Sequence, residues 1–236
     1  MRAASNPRSL YAFFREHRHK RINKWHHYFE IYERHLGRHR DRAVSMLEIG
    51  VFKGGSLQMW KHYFAPESRI HGIDIIASRK RHEQTGVRIF IGDSADAAFL
   101  ASVIEQTGPL DIVVDDGGHT ARQQINAFEA IYPTMHHDGV YIVEDTHTSF
   151  WPEFIDTPDG KTFLQYAHER TLELHGWTAK REMHERFGIE PTRREGEIEV
   201  SEFCRTTGSI HFYDSVVVFE KARRAEPWHQ DIGRWL

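Results

Sequence analysis

Short apolar runs that end in polar or acidic residues recur along the first two thirds of the chain. They read SMLEI, RIHGI, VRIFI, LDIVV and GVYIV, and longer segments with apolar residues at helical spacing separate them. Continuous apolar runs, as opposed to strict alternation, are typical of strands that are buried on both faces of a parallel sheet. The pattern therefore predicts an α/β protein in which strands and helices alternate.

The same pattern predicts where the helices lie and where the alternation stops. We expect helices over residues 10–17, 28–36, 120–137 and 161–175, and a closing hairpin of two strands around Tyr213–Ser215. Residues 146–206 break the alternation, and their length is too great for a plain loop. We therefore interpret 146–206 as an insertion that forms a lid, a substrate wall or an oligomer surface.

Two of the apolar runs are followed directly by pairs of acids. Asp115 and Asp116 follow LDIVV, and Glu144 and Asp145 follow GVYIV. The carboxyl ends of parallel strands meet at one edge of a sheet, where ligands bind in open α/β folds. Four carboxylates at that edge would repel one another unless a cation lay among them. The sequence therefore predicts a divalent metal site.

A histidine follows each acidic pair. His119 lies three residues after Asp116 and His147 lies two residues after Asp145. A positioned imidazole can take a proton from a hydroxyl that a metal ion activates. His119 is the preferred candidate for this base and His147 is the alternative. A purely structural role for His119, in the turn after two glycines, remains a third possibility.

Glycines and acids after the earlier runs predict a nucleotide-type pocket. Gly50 and Gly54 permit a tight turn and a close approach to the helix that starts after them. Their spacing does not match G-x-G-x-x-G, the dinucleotide fingerprint. Asp74 ends the second strand, where an acid can accept hydrogen bonds from ribose hydroxyls. Asp93 and Ser94 follow the third strand, where their side chains can bind the edge of an adenine ring.

The N-terminal residues 1–42 form a predicted helical cap rich in arginine, histidine and aromatic side chains. The basic stretch REHRHKRINK is compatible with a nucleic-acid patch, although a solvated helix end is the preferred interpretation. Trp25, Tyr28, Phe29 and Tyr32 fall at helical spacing. We expect them to pack in a core, and contact with a ligand is the alternative.

Composition narrows the class of protein. The chain has 236 residues, 39% of them hydrophobic, and a formal net charge of −3, which suits one α/β domain over 1–236 and gives no general case for nucleic acid. Cys204 is the single cysteine, so no intramolecular disulfide can form. The sequence has no apolar run of 18 residues and no signal-peptide core at its start. We expect a cytoplasmic protein that does not bind a membrane.

These motifs in this order resemble a class I S-adenosylmethionine-dependent methyltransferase. The segments LEIGVFKGG, HGIDI, IGDSAD, VVDDGGH and VEDTH carry the resemblance. Together with KWHHYFEIYERH and GGSLQMWKHYF, they are similar to the metal-dependent sugar O-methyltransferases of actinobacterial natural-product and polysaccharide pathways, a group that includes proteins labelled cephalosporin hydroxylase. The resemblance covers residues 24–221. It implies a Rossmann-like seven-stranded methyltransferase sheet of order 3-2-1-4-5-7-6, with helices on both faces.

The resemblance also implies roles for individual residues. Asp116, Glu144 and Asp145 would bind Mg²⁺, His119 would be the catalytic base, and Asp115 would face the cofactor. The remaining residues assigned to the S-adenosylmethionine pocket are Glu48, Gly50, Gly54, Ser56, Asp74, Asp93 and Ser94. The larger macrolide-sugar enzymes of this group carry an additional N-terminal domain, so their substrates and oligomeric states are not transferred.

The expected function is methyl transfer from S-adenosylmethionine to a sugar hydroxyl, assisted by Mg²⁺, in a homo-oligomer. Catechol-type O-methylation is an alternative, because a catechol also chelates a metal through adjacent oxygens. An oxidative, hydroxylase-like enzyme is a second alternative, although iron oxygenases favour two histidines and one carboxylate. Methylation of a nucleic-acid base is disfavoured, because no Asn/Asp-Pro-Pro-aromatic motif follows the fourth run.

Overall fold

A single seven-stranded sheet organises the computed structural model, which describes residues 9–233. Residues 1–8 of the predicted cap lie outside this range, as do residues 234–236. The predicted single domain over 1–236 therefore stays a prediction. The strands are β1 (Ser45–Ile49), β2 (Arg69–Asp74), β3 (Val87–Ile91), β4 (Ile112–Asp115), β5 (Val140–Val143), β6 (Thr207–Tyr213) and β7 (Val216–Lys221).

The strand order is β3-β2-β1-β4-β5-β7-β6, as the resemblance implied. Strands β1 to β5 are parallel, and β7 pairs antiparallel with both β5 and β6. From β1 to β3 the chain adds strands on one side of the sheet, and from β4 onwards it adds them on the other side. The order therefore switches between β1 and β4. At such a switch point the loops after neighbouring strands separate and leave a crevice for ligands.

Eight α-helices surround the sheet within residues 9–233. They are α1 (Leu10–Glu16), α2 (Tyr28–Leu36), α3 (Gly55–Tyr63), α4 (Ala97–Thr107), α5 (Ala121–Ile131), α6 (Phe163–Glu173), α7 (Met183–Arg186) and α8 (Glu202–Thr206). The helices predicted over 10–17, 28–36, 120–137 and 161–175 are confirmed, the last two with shorter bounds. Side-chain caps fix several starts: Asp96 accepts from two amides of α4, and Thr162 and Gln165 form a capping box on α6.

The core divides into two layers because consecutive strand residues point to opposite faces. Met46 packs with residues of α1, α2 and α3, whereas its neighbour Leu47 packs with residues of α4, α5 and α6. Residues 146–206 form short helices between β5 and β6, as expected for an insertion. In the described part of the chain, no helix is both long and apolar enough to cross a membrane.

Candidate active site

A first cleft of about 250 Å³ lies at the carboxyl ends of the strands around the switch point. Apolar side chains from the ends of β1 and β2 and polar groups from the following loops face it. The lining residues are Ile49, Gly50, Phe52, Ile73, Asp74, Ile75, Ile76, Arg79, Gly92, Ser94, Asp116, Gly117, Gly118 and Gln123. The predicted cofactor residues Gly50, Asp74 and Ser94 are among them.

Gly50 allows the loops after β1 and β4 to touch. Its φ is +94°, and a Cβ built there would lie 1.9 Å from the carbonyl oxygen of Asp116. Its amide donates a hydrogen bond of 2.8 Å to the carbonyl of Ile73 at the end of β2. Only glycine fits a backbone that is this crowded and has this torsion angle.

Asp74 is held in place by backbone amides. Its Oδ2 accepts hydrogen bonds from the amides of Val51 (3.2 Å) and Phe52 (3.1 Å), and its Oδ1 accepts one from Ile76 (2.8 Å). Arg79 lies 3.9 Å from Oδ2. The carboxylate therefore has a fixed orientation at the cleft wall, which is what recognition of a ligand's hydroxyls requires.

Three of the predicted cofactor residues, Glu48, Gly54 and Ser56, are held away from the first cleft. Glu48 is buried and accepts hydrogen bonds from Ser56 Oγ (2.7 Å) and Trp60 Nε1 (2.9 Å), and burial raises the pKa of its carboxyl to about 7. A Cβ on Gly54 would touch the His82 ring at 2.9 Å. Glu48, Ser56 and Gly54 therefore shape the start of α3, and among the described residues they do not line the first cleft.

Asp115 and Asp93 are also absent from the lining of the first cleft in the described part of the chain, and their predicted roles stay predictions. Asp115 is buried beneath the turn after β4, where burial raises the pKa of its carboxyl to about 7, and its Oδ2 has no hydrogen-bond partner among the described residues. The Asp93 carboxylate accepts from the Ala95 amide (2.9 Å) and from Gln123 Nε2 (3.2 Å). Asp93 therefore orients Gln123, which lines the first cleft, and is not itself among the described lining residues.

A second cleft of about 210 Å³ adjoins the first, because Phe52, Asp116 and Gly117 line both. The N-terminal segment closes one of its sides, and the ends of β4 and β5 supply its acids. Its other lining residues are Asn23, Lys24, Trp25, Tyr28, His119, Glu144 and Asp145. The structure thus brings together the predicted metal ligands and the predicted base. Among the described residues of the 146–206 insertion, none lines this cleft.

The two aspartates of the second cleft each divide their oxygens between two partners. Asp116 Oδ2 accepts a hydrogen bond of 2.6 Å from Lys24 Nζ, while its Oδ1 lies 3.8 Å from His119 Nε2. Asp145 Oδ1 accepts one of 2.6 Å from the Tyr28 hydroxyl, while its Oδ2 lies 3.5 Å from His119 Nε2. His119 Nε2 therefore faces one free oxygen of each carboxylate.

Glu144 is the most enclosed acid of the second cleft. Both of its oxygens lie 2.9 Å from Lys24 Nζ, and Oε1 also accepts a hydrogen bond from the Tyr32 hydroxyl. Burial raises the pKa of Glu144 to about 8, although Lys24 opposes the shift. Burial alone would lower the pKa of Lys24, but Asp116, Glu144 and Glu48 outweigh it and raise that pKa. The neighbouring acids therefore favour the charged form of Lys24.

Backbone strain concentrates at the same place. Phe52, His119 and Asp145 have φ values of 50°, 59° and 53°, and all three line the second cleft. Such angles cost energy for residues other than glycine and cluster at functional sites, where the surrounding structure enforces them. The turn of His119 is further fixed by Thr148, whose hydroxyl donates a hydrogen bond of 2.9 Å to the His119 carbonyl.

The donor groups of Asp116, His119 and Asp145 fit a divalent cation. Their ligand atoms lie within 4.8 Å of one another, and the side chains are only partly buried. Carboxylate oxygens are the ligands that Mg²⁺ prefers. The third predicted ligand, Glu144, borders the same cleft, but Lys24 and Tyr32 engage its oxygens. Its role as a ligand stays a prediction.

His147, the alternative base, occupies an aromatic setting. Its ring lies 5.9 Å from the Trp25 ring and 4.9 Å from the Trp151 ring, centroid to centroid. Its Nδ1 is buried without a hydrogen-bond partner in the described structure. His119 lines the second cleft, whereas His147 is not among its described lining residues.

The sequence analysis did not identify Lys24, Tyr28 and Tyr32 as site residues. The helical spacing of the two tyrosines suggested core packing, and both are indeed buried, yet their hydroxyls reach the acids. The predicted core packing is thus confirmed for Tyr28, Phe29 and Tyr32, whereas Trp25 is exposed, and contact with a ligand stays a prediction. Lys24 lies in an irregular segment before α2 and gave no signal beyond its place at the start of the family resemblance.

Comparisons with known proteins confirm the resemblance. Residues 47–146 match a family model described as a methyltransferase domain. The chain is 35% identical over 223 residues to 8-demethyl-8-alpha-L-rhamnosyl tetracenomycin-C 2'-O-methyltransferase of Streptomyces olivaceus, which covers 90% of this chain and 54% of that protein. It is 33% identical over 202 residues to mycinamicin VI 2''-O-methyltransferase of Micromonospora griseorubida, covering 83% of this chain and 48% of that protein.

A solved structure agrees with these relatives. MycE methyltransferase from the mycinamycin biosynthetic pathway, in complex with Mg, SAH and mycinamycin VI, superposes with a TM-score of 0.71 at 29% identity. The match covers 89% of this chain and 52% of that one. The fold is therefore the methyltransferase fold. The chain spans about half the length of the curated relatives it matches.

Proposed function

We propose that this protein is an S-adenosylmethionine-dependent, Mg²⁺-assisted O-methyltransferase that acts on a sugar hydroxyl. The observation that carries the proposal is the junction of the two clefts at Phe52, Asp116 and Gly117. A donor in the first cleft and an acceptor in the second would meet there. Holding two reactants in line is the main contribution that a protein can make to such a displacement.

The first cleft suits S-adenosylmethionine. Backbone amides hold the Asp74 carboxylate in an orientation that suits hydrogen bonds from ribose hydroxyls. The apolar side chains of Ile73, Ile75 and Ile76 line the same cleft. S-adenosylmethionine supplies a methyl carbon that is already electrophilic. The remaining task of the chain is to orient the donor and to exclude water from the junction of the clefts.

The second cleft suits Mg²⁺ and a hydroxyl acceptor. Asp116 and Asp145 would hold the ion, with Glu144 close by. Mg²⁺ supplies a positive charge that lowers the pKa of a hydroxyl. Asp116 and Asp145 together carry more negative charge than Lys24 balances, so the cleft favours a bound cation.

His119 is the proposed general base, and Nε2 is the atom that takes the proton. The free oxygens of Asp116 and Asp145 lie 3.8 and 3.5 Å from that nitrogen. The two carboxylates would orient the imidazole ring next to the proposed cation. General-base assistance of this kind contributes about 10² to 10⁴ in rate.

The activities of the relatives support a sugar as the acceptor. One acts on a rhamnosyl tetracenomycin, and another acts on mycinamicin VI. Trp25 and Phe52, which are 55% and 43% exposed, border the second cleft. Exposed aromatic rings at a cleft edge offer flat apolar surfaces for the C–H face of a sugar.

Product analysis with labelled S-adenosylmethionine tests the proposed function. We expect label transfer to a rhamnoside acceptor, loss of transfer on chelation and its return with added Mg²⁺. His119→Ala should lower turnover by about 10² to 10⁴, whereas His147→Ala should keep most of it. Transfer to a catechol but to no sugar would support the catechol alternative. Turnover that survives in His119→Ala and is lost in His147→Ala would reassign the base.

A homo-oligomer is also part of the proposal. Phe150 is 75% exposed and Trp151 is 45% exposed at the start of the insertion. Exposed aromatic side chains side by side are common where a second copy of a chain binds. Light scattering at micromolar concentration should give a dimer or a larger species. A monomer that persists across a range of concentrations would contradict this expectation.

A further inference from the structure

We propose that Lys24 and Tyr28 are positioning residues that decide which oxygen of Asp116 and of Asp145 faces the cation and the base. The proposal rests on the proposed function of the second cleft. Each residue holds one oxygen of one aspartate by a hydrogen bond of 2.6 Å. The other oxygen of each aspartate is thereby turned towards His119 Nε2.

Lys24 is buried and bonded to two acids. Its side chain is 2% exposed, and Nζ donates to Asp116 Oδ2, Glu144 Oε1 and Glu144 Oε2 at 2.6, 2.9 and 2.9 Å. An ammonium group has three N–H donors, so all of its hydrogen-bonding capacity is directed at these two acids. Lys24 therefore fixes the rotation of both carboxylates at once.

Tyr28 fixes both the side chain and the backbone of Asp145. Its hydroxyl donates to Asp145 Oδ1 at 2.6 Å, and the Asp145 amide donates to the same hydroxyl at 3.3 Å. Asp145 has a φ of 53°, which a residue with a Cβ adopts at a cost. The tyrosine hydroxyl thus stabilises the strained turn that directs Oδ2 towards His119.

The segment that carries both residues is itself anchored on either side. Gly55 lies against the carbonyls of Lys20 and Arg21 so closely that a Cβ there would approach them to 2.4 and 2.5 Å. At the other end of α2, His35 Nδ1 lies 3.1 Å from Glu220 Oε1 on β7. Lys24 and Tyr28 therefore have fixed positions relative to the sheet, and residues 20–36 form one wall of the active site.

Metal affinity separates positioning from simple charge balance. Removing a cation that only neutralises the cleft would leave its acids more attractive to a divalent ion, so affinity would rise. Removing a group that orients ligands lowers affinity, typically by about 10- to 100-fold for partners of metal-binding side chains. We therefore expect Lys24→Met to bind Mn²⁺, as a paramagnetic substitute for Mg²⁺, about 10-fold or more weakly.

Tyr28→Phe provides a second variant that changes no charge and keeps the buried ring. It should also lower Mn²⁺ affinity by about 10-fold and lower kcat with little change in KM. The matched controls are Arg15→Met, an exposed cation of α1 outside this wall, and Tyr11→Phe, whose hydroxyl contacts only the exposed His26 among the described residues. Both controls should behave as the unmodified protein does.

Electron paramagnetic resonance measures free Mn²⁺, calorimetry measures S-adenosylhomocysteine binding, and thermal melting checks that each variant folds. We expect weaker Mn²⁺ binding with cofactor affinity changed less than about twofold, since the first cleft lacks both residues. Equal or tighter Mn²⁺ binding in folded Lys24→Met and Tyr28→Phe would overturn the positioning role. If the unmodified protein bound neither Mn²⁺ nor S-adenosylhomocysteine, the proposed function itself would fail instead.

Discussion

The two clefts of this protein are built in different ways. In the first, the Asp74 carboxylate is held by amides two to 23 positions away, and the lining residues all lie between Ile49 and Gln123. In the second, side chains bond to side chains across the chain. Lys24 reaches Asp116 and Glu144 over 92 and 120 positions, and Tyr28 reaches Asp145 over 117.

The difference follows from burial and charge. A cleft formed by strand ends and backbone amides needs only the local turns, which the sheet holds in place. Buried carboxylates need a compensating cation and hydrogen bonds, because an unpaired buried charge is costly. Glu144 is 1% exposed and has no such partner nearby in sequence, so the fold supplies one from the N-terminal segment. We infer that the first cleft depends on β1–β4, and the second depends on residues 20–36 as well.

The strongest test of this comparison is Gly50→Ala, because Gly50 packs against the backbone of Asp116, which lines both clefts. A left-handed torsion costs about 1 to 2 kcal/mol for a residue with a Cβ, and the contact with the Asp116 carbonyl adds about 1 to 3 kcal/mol of overpacking. We expect the free energy of unfolding to fall by about 2 to 5 kcal/mol in urea denaturation. Binding of S-adenosylhomocysteine and of Mn²⁺ should weaken together.

Gly108→Ala is the control for the torsion alone. Gly108 has a φ of +69°, and a Cβ there would meet nothing within 4 Å. It should cost about 1 to 3 kcal/mol without weakening either ligand. If Gly50→Ala lowered the free energy of unfolding and ligand binding no more than Gly108→Ala does, the close contact between the loops after β1 and β4 would contribute nothing to either.

Asp74→Ala should affect only one cleft. Its carboxylate is the group proposed for the ribose hydroxyls, and hydrogen bonds to a charged partner contribute about 1.5 to 3 kcal/mol. Calorimetry should show S-adenosylhomocysteine binding weakened by about 10- to 100-fold, with Mn²⁺ affinity unchanged. Asp96→Ala, which removes the cap of α4, should leave cofactor binding intact. Undiminished binding in Asp74→Ala would mean that the cofactor pocket is misplaced.

The sequence predicted the sheet and the strand-end acids because both depend on local patterns. Apolar runs locate the strands, and the acids after them come together as soon as the strands are parallel and adjacent. Met46 and Leu47 illustrate how the sheet then divides the core between its faces. The order 3-2-1-4-5-7-6 came from the family resemblance, since periodicity alone does not order strands.

The sequence failed where a residue's partner is set by tertiary packing. Glu48 looked like a pocket acid at a strand end, but α3 places Ser56 and Trp60 against it. Lys24 looked like one more basic residue of an exposed segment, yet it is buried against two acids. Neither outcome is visible in spacing, because each depends on how a helix or a segment docks on the sheet.

The two halves of the molecule should also respond differently to acid. On β7, His35 and Arg38 hold the pKa of Glu220 well below its usual range, so its stabilising effect lasts until strongly acidic pH. On β2, His71 is buried, and its ring nitrogens have no hydrogen-bond partner among the described residues. Burial, and then Arg69 and Arg88, lower the pKa of His71 to about 4.

The smallest expected effect is therefore a pH-dependent one at His71. Above pH of about 6.5 the ring is neutral in both the folded and the unfolded chain and contributes nothing to the pH dependence. Between that pH and the folded pKa of about 4, the unfolded chain binds a proton that the folded protein excludes. Stability should thus fall on acidification through this window.

The test is His71→Phe, which keeps an aromatic ring against Phe90. Between pH 8 and pH 5, the free energy of unfolding of this variant should fall by about 1 to 2 kcal/mol less than that of the unmodified protein, after allowance for solvent screening. Urea denaturation at the two pH values measures the difference, and His137→Phe, at an exposed position, is the control. Equal losses in His71→Phe and the unmodified protein would show that the His71 ring accepts its proton in the folded state.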